Sequence, residues 1–245
     1  MPYILALLLI MITEPERLSA RLFMETGDAL MGQGLLAQAR EAFSRSLDMN
    51  PHEHYAVLGL ARVSALQGSL DLASSWYRIF MESCPDDYRA PLELGLLLLE
   101  EPDSLYRAGV LIRRAHGLEP RGDDVVFAMA RLCLTEGDVV GAIGVLEPLC
   151  AHDGPHQLEA AMILAGLLAA NGDNGGARAV LARELLASHP PALWLAARTH
   201  LREGDYMRAV DCANRCLSLN PDPMLADSVR LMIDSLAREG IYLPW

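Results

Sequence analysis

No stretch of this chain alternates strictly between apolar and polar residues, as a half-buried strand would. Where apolar positions form a stripe, they step by three and four residues. Leu225, Val229, Met232, Ile233 and Leu236 do so near the C-terminus, with Asp227, Arg230, Asp234 and Arg238 largely off that face. That spacing puts them on one side of a helix running from about Met224 to Glu239, which Gly240 ends. At the other end, residues 2–12 read PYILALLLIMI, an uninterrupted apolar run.

Between these ends the pattern repeats. Small residues recur at Gly27, Ala61, Gly95, Ala130, Ala165 and Ala197, at steps of 34, 34, 35, 35 and 32. A second series, about 12 residues later, runs Ala39, Ala73, Ala108, Ala142, Ala177 and Ala209. Gly34, Gly68, Gly137, Gly172 and Gly204 fall between the two, and Pro102 takes that place in the third copy. Ser69, Asp103, Asp138, Asp173 and Asp205 follow the turns, while Pro51, Pro85, Pro120 and Pro221 close units. Each choice has a mechanical cause. Small residues let two antiparallel helices approach, Gly supplies the left-handed residue that ends the first, and Asp or Ser caps the second. Pro then stops it. One such hairpin cannot cover its own apolar face, so hairpins stack.

The spacing and its punctuation resemble the tetratricopeptide-repeat (TPR) family, whose repeat is about 34 residues long. The last unit carries the resemblance well: Trp194-Leu195-Ala196-Ala197 opens it and Glu203-Gly204-Asp205-Tyr206 turns it. It closes on Cys216-Leu217-Ser218-Leu219-Asn220-Pro221, much like the family's A-L-x-L-x-P ending. Gly27, Ala39, Phe43 and Pro51 fill the small, small, aromatic and proline places of the first. The resemblance implies an all-α fold, an α-α superhelix (TPR solenoid) with a C-terminal capping helix. It divides the chain into an apolar segment at 1–19, six repeats over 20–223, and a capping helix and tail at 224–245. The hairpins are drawn at about 20–53, 54–87, 88–122, 123–157, 158–189 and 190–223. Irregularities are an extra residue near Glu100–Ser104, Gly154 in place of the closing Pro, and a short fifth repeat near Ser188–Pro191.

In that family the first helix of each repeat lines a concave groove through positions 2, 5, 9 and 12. Here this implies an apolar stripe of Met24, Leu58, Leu92, Phe127, Met162 and Trp194 with Tyr55 beside it. Arginines are interleaved at Arg21, Arg62, Arg89, Arg131 and Arg198, and Asp28, Leu96 and Gly166 fill the remaining ninth positions. An apolar stripe with spaced guanidinium groups points to a protein or peptide partner bearing carboxylates. The bland alternative is that these arginines pair with acidic residues of neighbouring repeats and that the apolar residues are core, as is expected of Phe43 and Tyr77. The family's chaperone-type carboxylate clamp needs Lys and Asn where this chain has Met24, Asp28, Gly59, Arg89 and Leu94, which disfavours that partner class.

Composition narrows the functions further. The chain has 245 residues, 52% apolar and 21% charged, with net charge −12, and every one of its 20 basic residues is Arg. An acidic chain without a basic run is a poor nucleic-acid binder. Arg-only usage fits a GC-rich bacterial genome. The five cysteines are odd in number and lack a C-x-x-C, so packing or a reducing compartment is expected rather than a disulfide framework. Cys150, His152, Asp153 and His156 match no zinc spacing, and Cys212 with Cys216 lacks a second ligand pair. No phosphate loop or catalytic motif appears. Neither enzyme activity, cofactor nor metal is expected. The reading is a protein-binding scaffold or adaptor for a bacterial multiprotein complex. The alternatives are a substrate-holding chaperone of a secretion or pilus system and, far behind, a metal-binding protein.

The run at 2–12 is too short to span a membrane, and lacks the basic flank and cleavage site of an ordinary signal. Three readings stay open: a helix packed on the first repeat, a membrane-associated anchor, or an atypical export signal. Insertion would leave Arg17 and Arg21 on its C-terminal side and hold the repeats in the cytoplasm. Export would place them in the periplasm.

Overall fold

The computed structural model describes residues 15–151, 154–183, 186 and 188–241. The apolar run at 2–12, together with His152 and Asp153, lies outside them. The described residues are helical, with no strand among them. They fall into two compact units, one ending at Arg121 and the other starting at Gly122.

The first unit holds three antiparallel hairpins. These are α1 (Pro15–Gly32) with α2 (Leu36–Met49), α3 (His54–Leu66) with α4 (Leu70–Ser83), and α5 (Arg89–Leu99) with α6 (Leu105–Leu118). The second unit pairs α7 (Asp123–Glu136) with α8 (Val139–Leu149), α9 (Gln157–Ala170) with α10 (Asn174–Leu181), and α11 (Pro190–Arg202) with α12 (Tyr206–Ser218). A last helix, α13 (Pro223–Arg238), packs on α12. It buries Ala226, Val229, Met232 and Leu236, while Leu225 and Ile233 flank that core half-buried.

The two alanine and glycine series sit where helices cross. Ala39, Ala73, Ala108, Ala142, Ala177 and Ala209 are completely buried. A β-carbon added at Gly27 would lie 2.6 Å from the Phe43 ring, and one at Gly95 2.7 Å from Ile112. Phe43 and Tyr77 are core residues, as expected. Ser46, also buried on α2, donates to the Ala20 carbonyl of α1 at 2.7 Å, so a hydroxyl ties the hairpin together without leaving an unpaired polar group.

The turns follow the sequence chemistry closely. Gly137 adopts φ 78°, its amide bonds to Leu134 O, and the next amide, of Asp138, reaches Cys133 O at 2.8 Å. This double closure satisfies the orphan carbonyls at the helix end and requires the left-handed residue. The same pair of bonds recurs after Gly34, Gly68, Gly172, Gly204 and Gly240. Pro102 begins a short 3-10 turn, Pro102–Ser104, in the third hairpin.

Capping matches only in part. The carboxylates of Asp138, Asp173 and Asp205 accept from the amides of Gly141, Gly176 and Arg208, and Asp222 caps α13 in the same way. Ser69 occupies the cap position of α4, but its hydroxyl makes no capping bond. Asp103 is displaced into the 3-10 turn, where Ser104 becomes the uncapped start of α6. Replacing Asp173 with alanine is therefore expected to lower stability by about 0.5–2 kcal/mol. The effect should be marked because α10 has only 8 residues and begins Asn-Gly-Gly, a poor helix start. Ser69→Ala should leave the urea midpoint within the range of a neutral surface change. Equal losses for both would refute the assignment.

Candidate partner-binding groove

The first helices of the first unit build one cleft of about 460 Å³. Ninth and twelfth positions contribute Met31, Arg62, Ala65 and Leu96, joined by the exposed Leu66 and the half-buried Leu97. Fifth positions do not take part. Leu58 and Leu92, expected in the lining, are sealed at 1% and 5% exposure. Each lies further toward the start of its helix, and Leu58 packs in the core that α3 and α4 share with α5.

Polar atoms at the cleft wall come from Arg62, Tyr77, Glu93 and Glu100. Three of them form one network. Arg62 Nε donates to both oxygens of Glu93, at 3.1 and 2.9 Å, and its Nη2 donates to Oε1 at 2.5 Å. The Tyr77 hydroxyl donates to Oε2 at 3.0 Å. The hydrogen bond to Glu93 raises the Arg62 pKa, and burial followed by the nearby Glu93 charge pushes the Tyr77 phenol far above its ordinary value. Asp28 has its carboxyl raised by burial against the pull of Arg62. Glu93 was absent from the sequence-derived site. Its signal was there: it is the lone carboxylate in the apolar helix Arg-Ala-Pro-Leu-Glu-Leu-Gly-Leu-Leu-Leu-Leu.

The other predicted arginines of this unit are likewise engaged. Arg89 Nη2 donates to Asp87 at 2.6 Å and to the Tyr55 hydroxyl at 2.9 Å, and its guanidinium carbon stands 4.7 Å from the centre of the Tyr55 ring. Burial opposes ionisation of Asp87, but its bonds from Arg89 outweigh that and hold its carboxyl below the usual range. Arg21 pairs with Glu25 one turn away at 3.1 Å, on the exposed surface. Met24 is half-buried against the Phe43 core. The electrostatic case for a carboxylate-bearing partner thus loses Arg21, Arg62 and Arg89, since each guanidinium already has its carboxylate.

The second unit scatters its candidates. Phe127 is nearly buried and stacks on the His156 ring with centroids 4.5 Å apart, while His156 Nε2 lies 2.8 Å from Asp124. Met162 and Trp194 are half-buried against two different cores. Arg131 is half-buried and interacts within the chain. Arg198 is exposed, with no ion-pair partner among the described residues. A cleft in this unit, about 320 Å³, uses other residues, including Arg178, Leu193, His200 and Cys212. Arg178 pairs with Glu203. Burial pushes the His200 imidazole below its usual pKa, and its Nδ1 has no hydrogen-bond partner among the described residues.

Several arginines outside the predicted groove tie the chain to a carbonyl about one repeat earlier. Arg114 donates to Pro85 O at 3.0 Å, Arg202 to Ala169 O at 2.7 Å, and Arg183 to Cys150 O. The planar, multi-donor guanidinium suits this role better than an ammonium group. All five cysteines are free thiols, and Cys133, Cys150 and Cys216 are buried. Burial raises the thiol pKa of Cys212 and Cys216, which disfavours the reactive thiolate form. No group of three or more potential ligands able to hold a metal occurs among the described residues. No described helix is long and apolar enough to cross a membrane.

Comparison with known proteins agrees with this geometry. A family model described as tetratricopeptide repeat matches residues 24–88 and 127–192, and a second of the same description matches 190–223. Among solved structures, pilF of Pseudomonas aeruginosa is similar at TM-score 0.73 and 19% identity, over 89% of this chain and 99% of that one. PilW, described as a widely conserved type IV pilus biogenesis factor, gives 0.67 and 16%, over 86% and 97%. A tetratricopeptide repeat protein from Parabacteroides merdae gives 0.56 and 17%, over 89% and 86%. At such identities the likeness concerns the fold. No curated protein matches the sequence.

Proposed function

Because this chain belongs to the tetratricopeptide-repeat family, we propose that it is a non-catalytic assembly factor that holds a protein partner of a pilus-type machine. The observation that carries the reading is the cleft on the first helices of three successive repeats. Its apolar lining is open to a partner side chain, and the Arg62–Glu93–Tyr77 network is already hydrogen-bonded within the wall. A partner covering that network leaves Arg62 and Glu93 paired with each other, so the polar cost of binding is desolvation of an ion pair already made rather than of unpaired charges.

The pilus assignment is supported by the likeness to pilF and to the pilus biogenesis factor PilW, each nearly covered end to end. It favours a client-holding role within one machine over a general adaptor. The apolar run at 2–12 is the sequence feature that would bring the repeats to the envelope where such a machine is built. Deleting the gene in its host is expected to remove or sharply reduce surface pili, with restoration by the wild-type chain. Cross-linking of the full chain in cells should recover a pilus subunit or assembly protein. Unaltered piliation together with cross-links only to unrelated proteins would overturn the assignment.

A further inference from the structure

Leu22 breaks a rule that later first helices keep. It lies five residues before Gly27, and the residues five before Ala61, Gly95, Ala165 and Ala197 are Ala56, Ala90, Ala160 and Ala192. Each of those four alanines is sealed, at no more than 1% exposure. Ala56 shares a core with Ala39 and Phe43 of the hairpin before it, and Ala192 shares one with Val180 and Leu181. Leu22 is 57% exposed, and Leu18, one turn earlier on the same stripe, 51%. Beyond Leu22 the stripe turns polar: Glu25 and Thr26 are exposed, and Thr26 stands where α3 has the buried Leu60. The start of α1 thus presents a short apolar face at the joint where later repeats receive a hairpin. Leucine in place of alanine holds off the close approach that a regular preceding hairpin makes, so the face suits something other than a further repeat.

We infer that residues 2–12 of this chain dock as a helix on Leu18 and Leu22 and cap the open end of the first repeat. Only Thr13 and Glu14 separate that run from Pro15, where α1 begins. Two residues suffice to join an antiparallel pair of helices, and the residue before a proline is steered away from helix, which sets the break there. A helix of this length spans about 16 Å, and so reaches back along α1 about as far as Glu25, where the apolar face stops. A free partner is a poor occupant, because two leucines fall far short of the roughly 1,200 Å² that a specific, stable interface buries. A tethered segment needs no such area, since its link holds it at a high effective concentration. Docking uses one side of the helix and leaves the other for the envelope contact proposed above. It is independent of what the cleft binds.

The test is hydrogen exchange, read by mass spectrometry on the full chain in detergent-free buffer. Amides within 2–12 are expected to exchange about tenfold or more slowly than in an unstructured chain of the same sequence. Leu18→Asp combined with Leu22→Asp should return them to the unstructured rate while exchange in α3 to α6 stays as in the parent. A photoreactive benzoylphenylalanine in place of Leu22, in an otherwise unaltered chain, should cross-link to residues 2–12 of the same chain, a readout that stands even if the charged variant unfolds. Unstructured exchange rates at 2–12 in the parent, or protection that survives both aspartates, would overturn the inference. Cross-links joining two chains would overturn it as well, and would assign the face to a second copy.

Discussion

Truncation of Phe43 to alanine is expected to destabilise the first unit by about 3–5 kcal/mol, the cost of emptying a large aromatic site in a close-packed core. The ring is completely buried and sits between two glycines on successive first helices. A β-carbon at Gly27 would stand 2.6–2.8 Å from three of its atoms, and one at Gly59 would collide with the same ring edge. The glycines are therefore the complement of the aromatic residue. Gly59→Ala is expected to cost about 1–3 kcal/mol through overpacking, although it gains about 1 kcal/mol of helix propensity. In the Phe43→Ala background the clash is gone and the sign should reverse, so that Gly59→Ala becomes neutral or stabilising. Urea midpoints of the four proteins measure the coupling. Additive losses would show that the glycines serve another purpose.

The second large effect concerns the cleft wall. Arg62→Met leaves the Glu93 carboxylate, three-quarters buried, with the Tyr77 hydroxyl as its remaining side-chain donor. A loss of about 1–3 kcal/mol is expected, set by the unpaired acceptor rather than by the worth of the ion pair. Removing both charges, as in Arg62→Met with Glu93→Leu, should restore most of the stability, because a partly buried pair returns little beyond its own desolvation. The double variant should also keep its affinity for apolar peptides. If it is as unstable as the single, the pair contributes to stability in its own right.

These two sites differ in how much of them was legible beforehand. The partnership of Gly27, Gly59 and Phe43 was half visible, since Gly27 and Phe43 stood at the small and aromatic places of the first repeat. Gly59 entered the reading only as a mismatch to a clamp, not as the second wall of the aromatic site. Arg62 lies on the first-helix face, but its role was taken from its charge. Glu93, one repeat further along and alone in an apolar helix, decides that charge. Arg89 shows the same thing with Asp87 and Tyr55. The expectation that arginines on helices pair with neighbouring repeats describes Arg62 better than a free binding role does.

What the sequence alone determined were the features with local causes. The period near 34, the left-handed glycine turns, the aspartate caps and the small residues at helix crossings depend on the chemistry of a few adjacent positions, and each is readable from them. What only the tertiary structure decided was which members of one helical stripe reach solvent and which guanidinium finds a carboxylate. Leu58 and Arg62 share a stripe one turn apart, yet the first is core and the second edges the cleft. That division depends on how far the next hairpin overlaps the helix, and so on contacts between residues some thirty positions apart, whose distances no single repeat encodes.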